Sequence, residues 1–132
     1  MTLKNQFYHL FKIYKMSYTQ KAQELYTMIG SGQLLDAFEK FYSEDVVMQE
    51  MGEEPRVGKA INREFELKFI GSVETIHGGG VDHITADETN GVVMVENWMD
   101  LTFKGGTRVK LEQVCVQEWD GEQIVKERFY HR

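Results

Sequence analysis

Glu96 and Asp100 stand four residues apart in Val92–Phe103, a segment whose residues alternate like those of a strand. Residues an even number apart on a strand share one face, so these two carboxyls lie roughly 13 Å apart along that face and cannot share a proton. Either becomes a general base if an apolar wall raises its pKa. Asp100 can also form an acid/base pair with His131 on the last strand-like segment, since imidazole titrates near neutrality. The competing reading is structural: Glu96 and Asp100 are ion-paired with Arg108 or Arg128. For a carboxylate taken alone that is the commoner fate.

The other reactive side chains suggest less chemistry. Cys115 is the single cysteine, with no histidine near it in sequence. It reads as a buried, inert thiol, excludes an intramolecular disulfide and fits a reducing, cytoplasmic compartment. The four histidines are scattered and no CxxC or HExxH pattern occurs, so no metal site is expected. His77-Gly78-Gly79-Gly80 has the outline of a phosphate loop but lacks the following Lys-Ser/Thr and a helix start, and a bend in a strand explains it better. A net charge of −6 argues against a nucleic-acid partner. No apolar run approaches the roughly 20 residues that cross a bilayer, so no membrane span is expected.

The elements that must position these groups fall in a clear order. Ser17-Tyr18-Thr19-Gln20 forms a capping box, and Tyr18, Ala22, Leu25, Tyr26 and Ile29 make one face of the helix that follows. Gly30 and Gly32 end it. Leu34, Leu35, Phe38, Phe41 and Tyr42 mark a second helix, and a strand follows from about Asp45 to Met51. A third helix follows Gly58, with Ile61, Phe65 and Phe69 on one face. Strands then run over Val73–Ala86, Val92–Phe103, Thr107–Trp119 and Gln123–His131, joined by turns at Asp87–Gly91, Lys104-Gly105-Gly106 and Asp120-Gly121. Helices followed by an antiparallel meander specify α+β.

The segment from Gly32 to Gly58 carries a further signal: an apolar helix, an acidic turn, a hydrophobic strand, Gly52, then Glu54-Pro55-Arg56 and Gly58. It resembles the SnoaL-like polyketide cyclase and ketosteroid isomerase group of the NTF2-like superfamily. The resemblance implies a cone of three N-terminal helices packed on a strongly curved mixed or antiparallel sheet, with a ligand cavity and dimerisation through the outer sheet surface. Laid on ketosteroid isomerase, the general base falls on Gln49, which takes no proton. Glu50, beside it, is expected on the opposite face of its strand. The buried acid falls near Cys115 and the tyrosine donor at Leu25, one residue from Tyr26. All three positions depart from the pattern, so the resemblance carries the fold rather than steroid isomerisation.

Phasing the strands on this resemblance puts Gln49, Glu96, Trp98, Asp100, Gln113, Cys115, Gln117, Glu127 and His131 on the cavity side. Asp100, Glu96, Glu127 and His131 are then the candidates for catalysis. Gln49, Tyr26, Trp98, Gln113, Cys115, Gln117 and Trp119 are the candidates for ligand contact, the two indoles as flat walls for a ring. Val93, Val95, Met99, Leu101, Phe103, Val114 and Val116 are assigned to an outer face covered by a second copy. Alternation alone leaves the two faces interchangeable.

Residues 1–16 read as a helical extension, with Leu3, Phe7, Leu10, Phe11 and Tyr14 at helical spacing, ahead of a domain over 17–132; Met16 is an alternative start. Three functions fit this outline. One is a cofactor-free proton-transfer enzyme of the isomerase or cyclase type acting on a small hydrophobic or cyclic molecule. The second is a non-catalytic binder of such a molecule. The third is a protein-interaction and dimerisation module.

Overall fold

The computed structural model describes residues 15–131; the helical extension expected at residues 1–16 lies almost wholly outside them. Three helices precede the long strands: α1 (Tyr18–Gly30), α2 (Leu34–Phe41) and α3 (Lys59–Ser72). Around and after them run β1 (Tyr42–Glu50), β2 (Arg56–Val57), β3 (Val73–Asp87), β4 (Val92–Phe103), β5 (Arg108–Asp120) and β6 (Gln123–His131). They form one open six-stranded sheet in the order β2-β1-β6-β5-β4-β3. β1 and β6 are parallel and every other pair is antiparallel, so the sheet is mixed. The fold is α+β, three helices on a curved mixed sheet.

Local chemistry accounts for the element boundaries. The expected capping box is present: the Ser17 hydroxyl accepts from the Gln20 amide and the Gln20 side chain accepts from the Ser17 amide. The Glu88 carboxylate, from the β3–β4 turn, accepts from the Tyr18 and Thr19 amides, which seats the N-terminus of α1 on the sheet. β1 starts at Tyr42, where α2 ends, rather than at about Asp45. The core lies between α1, α2 and the sheet and includes Ala22, Leu25, Phe38, Phe41, Val46, Met48, Val93, Val95, Trp119 and Ile124.

The three glycines in β3 form no phosphate loop. They lie within the strand, opposite Trp98, Met99 and Asp100 of β4. A Cβ built on Gly80 would come within 3.1 Å of the Trp98 indole nitrogen, and one on Gly78 within 3.3 Å of the ring. The glycines are a seat for the indole. Pairing irregularities flank them, at Ile76/Gly78 and Val81/His83, and such bulges bend a strand.

Alternation predicts the two faces of β5 correctly and those of β4 in reverse. Register pairs Val93 with Gln117, Val95 with Cys115, Asn97 with Gln113 and Met99 with Leu111, so these residues share one face, the one under the helices. Val93, Val95 and Leu101 are completely buried within the single chain and cannot form a surface between copies. Phe103 packs edge-on against Phe69 of α3. Of the set expected on the outer face, Val114 and Val116 are on it, opposite Glu96 and Met94.

Candidate functional site

A cavity of about 310 Å³ lies between the helices and the inner sheet face. Its walls come from Leu25, Tyr26 and Ile29 of α1, Leu34 and Phe38 of α2, and Phe65, Glu66 and Phe69 of α3. The sheet supplies Tyr42 and Glu50 from β1, Asn97 and Met99 from β4, Leu111, Glu112 and Gln113 from β5, and Glu127, Phe129 and His131 from β6. Apolar and aromatic side chains dominate, with a few polar groups set among them, which is the usual make-up of a small-molecule site.

Glu127 is aimed into this space by a bulge. Trp119 pairs with Ile124 but Glu118 pairs with Lys126, so Val125 is an extra residue in β6. Ile124 and Glu127 therefore both point inward although they are three apart. Glu127 is 1% exposed. Its carboxyl accepts a hydrogen bond from the Tyr42 hydroxyl on one oxygen and from Gln117 Nε2, at 2.8 Å, on the other. Trp119 Nε1 in turn donates to Gln117 Oε1 at 3.1 Å, which fixes the amide's orientation. Burial pushes the Glu127 pKa up to about 7, against the lowering effect of its two donors and with a further upward push from the charges of Glu66 and Glu50.

Two more carboxyls face the same space. Glu66 on α3 is also raised to about 7, chiefly by burial, with Arg56 opposing and Glu50 reinforcing the shift. Glu50 pairs with Arg56 at 3.5 Å and with His131 Nε2 at 3.5 Å. Arg56 is itself held over the Phe65 ring, 3.7 Å from the centroid, and by Asn62.

The third polar group is an amide cluster. Gln113 Nε2 donates to Asn97 Oδ1 at 3.1 Å, while Asn97 Nδ2 reaches the Val95 carbonyl, Cys115 Sγ and the Tyr26 hydroxyl. Burial raises the Tyr26 phenol well above its ordinary range, and burial also pushes the Cys115 thiol up, so that thiol stays protonated.

The structure separates the residues singled out in the sequence. Glu127, His131, Tyr26 and Gln113 line the cavity. Cys115, Gln117 and Trp119 share the inward face but sit behind the lining, Gln117 and Trp119 as the relay to Glu127. Glu96, Trp98 and Asp100 are on the opposite face, because β4 is phased one residue from the expectation. There Asp100 holds Arg108 through two bonds of 3.0 Å, Glu96 meets His83 at 3.0 Å, and Lys110 lies over Trp98. The expected Asp100–His131 pair is not formed; His131 meets Glu50. Arg108 holds the Asp100 carboxyl below its usual range, the opposite of what a general base needs. Gln49 also points away from the cavity, donating to the Glu53 carbonyl at 2.9 Å, while Glu50 points in.

Sequence reasoning passed over Glu66 and assigned Asn97 and Met99 to the wrong side. Glu66 carried a usable signal: Asn62, Glu66 and Phe69 follow each other at helical spacing, and a carboxylate on an inward stripe is costly unless it has a task. Asn97 had one too, as the lone amide in an otherwise apolar alternating set.

Three helices on an open mixed sheet, closing over a cavity edged with carboxyls and amides, define an α+β cone of the NTF2-like class. The chain belongs to the SnoaL-like domain family, whose sequence model matches residues 16–131. Among solved structures it is similar to a protein of Mesorhizobium loti proposed to be a SnoaL-like polyketide cyclase, at 24% identity and TM-score 0.75, over 87% of this chain and 99% of that one. It is similar to an LEH-like epoxide hydrolase of M. tuberculosis at 18% identity and TM-score 0.70, over 87% and 82% of the two chains. An NTF2-like protein of unknown function from Burkholderia xenovorans aligns at 15% identity and TM-score 0.67, over 86% and 81%. At these identities the likeness concerns the fold. No curated protein matches the chain. No described helix is long and apolar enough to cross a membrane.

Proposed function

We propose that the cavity takes a small hydrophobic or cyclic molecule and that Glu127 moves a proton on it without a cofactor, in chemistry of the isomerase or cyclase type. The observation that carries this reading is the Glu127 carboxyl itself: buried at an apolar cavity, oriented by two donors, with a pKa of about 7. A carboxyl so poised exchanges protons efficiently near neutral pH. Glu66 and His131 are the groups through which that proton is relayed or exchanged at the cavity wall. The outer sheet face, with Met94, Trp98 and Val114, is where a second copy packs, and the lone Cys115 thiol suits a reducing cytoplasm.

One observation favours a non-catalytic binder instead: both Glu127 oxygens already hold internal donors. The two readings separate in one experiment. Solvent deuterium uptake into a panel of cyclic ketones is followed by NMR, with the wild type and with Glu127→Gln. Catalysis predicts exchange above buffer that falls by about 100-fold or more in the variant. Ligand-induced shifts without exchange support the binder. The cavity supports a small-molecule site over the interaction module, which a filled interior would favour.

A further inference from the structure

The polar atoms of the cavity are nearly all hydrogen-bond acceptors. Its donors are committed inside the protein: the Tyr42 hydroxyl and Gln117 Nε2 to Glu127, and Gln113 Nε2 to Asn97. Asn97 Nδ2 is committed to Val95, Cys115 and Tyr26. What remains toward the space is Gln113 Oε1, the Glu127 carboxyl and the Glu66 carboxyl, to which no described residue donates.

Charge follows the same pattern. Three glutamate side chains, Glu50, Glu66 and Glu127, face the cavity, Glu112 standing opposite Trp98 on the outer face, and among the described lining residues there is no lysine or arginine. Arg56, from β2, is outside the lining and already engaged by Glu50, Asn62 and the Phe65 ring. His131, at the rim, is turned to Glu50, and Glu112 is paired with Lys110 at 3.6 Å. Glu66 and Glu127 thus have no cation in direct contact. The walls between them are the rings of Phe38, Phe65, Phe69 and Phe129, whose faces attract positive charge.

We infer that the ligand of this cavity is a hydrophobic amine, bound as its ammonium cation with the N–H groups directed to Glu66, Glu127 and Gln113 and its apolar body against the phenylalanine rings. This rests on the ligand-binding reading of the cavity and names the ligand's class. An ammonium offers donors and positive charge, the two features the lining lacks, whereas a carboxylate or phosphate would meet only acceptors. The positive charge of a bound ammonium opposes the upward shift that burial gives both carboxyls, so binding should release protons near neutrality. The charged and polar groups facing these two carboxyls are Glu50, whose charge reinforces the upward shift, Arg56, which opposes it at Glu66, His131 beside Glu50, and the neutral phenols of Tyr26 and Tyr42.

The test compares three ligands of one shape: 2-phenylethylamine, 2-phenylethanol and phenylacetate. Affinity is measured by calorimetry, and the side-chain amides of Asn97 and Gln113 are followed by NMR. The expected result is an amine bound at least about tenfold more tightly than the alcohol at pH near 8, with the carboxylate weakest. The amine's affinity should fall toward pH near 6 while the alcohol's stays level. Glu66→Gln and Glu127→Gln should each reduce the amine's advantage; Glu66 is only half-buried on a helix, so its variant folds even where the other does not. An alcohol or carboxylate that binds as tightly as the amine, with shifts at Asn97 and Gln113, overturns the inference and leaves the cavity a ligand site. Three silent ligands, with no amide shift, overturn both.

Discussion

The Tyr42 hydroxyl donates to the Glu127 carboxyl across the parallel β1–β6 pair, 85 residues apart in the chain. Tyr42 is the first residue of β1 and stacks on Phe38, with ring centroids 5.0 Å apart. Its phenol is therefore fixed by the helix-to-strand junction, and Glu127 is fixed by the bulge at Val125. Two local irregularities, one in each strand, make the contact possible.

Removing the donor should move the acid. Tyr42→Phe deletes a hydrogen bond that favours the charged carboxylate, so the Glu127 pKa should rise above about 7. The unsatisfied carboxyl should also cost on the order of 1–3 kcal/mol of stability. A carboxyl-carbon NMR titration of labelled glutamate reads the first effect and urea unfolding the second. An unchanged or lowered Glu127 pKa would refute the assignment.

Stability should fall as pH rises between about 4.5 and about 7. Glu127 and Glu66 both start from an ordinary value of 4.5 and are raised to about 7 in the folded chain. Across that window the folded state holds protons that the unfolded chain has released. Their contribution is complete below 4.5 and lost as pH climbs through 7. For Glu127 it amounts to about 3 kcal/mol; half-buried Glu66 contributes less. Urea midpoints measured across this range should decline in the wild type and flatten in Glu127→Gln. A wild-type midpoint that is level or rises would contradict the buried, raised carboxyl.

Element types and order were readable because periodicity and capping are local: Ser17 and Gln20, the Asp120-Gly121 turn and the alternation of β5 each act over a few residues. Which face a strand turns inward is not local. β4 gives a nearly symmetric pattern, since Met94, Trp98, Val93 and Val95 are apolar on both sides, and register with β5 decides between them. Glu127 was assigned to the cavity side from the resemblance, but the extra residue at Val125 that turns both it and Ile124 inward was not readable, since β6 offers no glycine or proline as a marker. Ile61 illustrates the same limit on α3. It was expected on the buried face, yet it is 53% exposed, while Asn62 is buried through hydrogen bonds to Arg56 and Gly58.

The glycine seat under Trp98 makes its own prediction. Gly80→Val should push the indole off β3, because even a Cβ there would stand 3.1 Å from the ring nitrogen. The expected cost is about 1–3 kcal/mol, as for other overpacked contacts. Trp98 fluorescence should shift to the red, and Trp98→Ala in the same chain should recover part of the loss. Additive losses in the double variant would show that the two residues do not interact.

Asp100 was the sequence's strongest candidate for a base, and its replacement gives the sharpest contrast with Glu127. Its carboxylate is bound by Arg108 on the outer face, where the Arg108 side chain is 60% exposed. A pair this exposed contributes only the small margin of stability typical of a surface ion pair. Asp100→Asn should therefore leave stability within that margin and leave both cavity binding and any deuterium exchange unchanged, whereas Glu127→Gln should abolish the exchange. Measuring the two variants side by side with one ligand removes differences in assay and in folding. If Asp100→Asn loses activity and Glu127→Gln retains it, the chemistry lies on the outer face of the sheet and the cavity is not the reacting site.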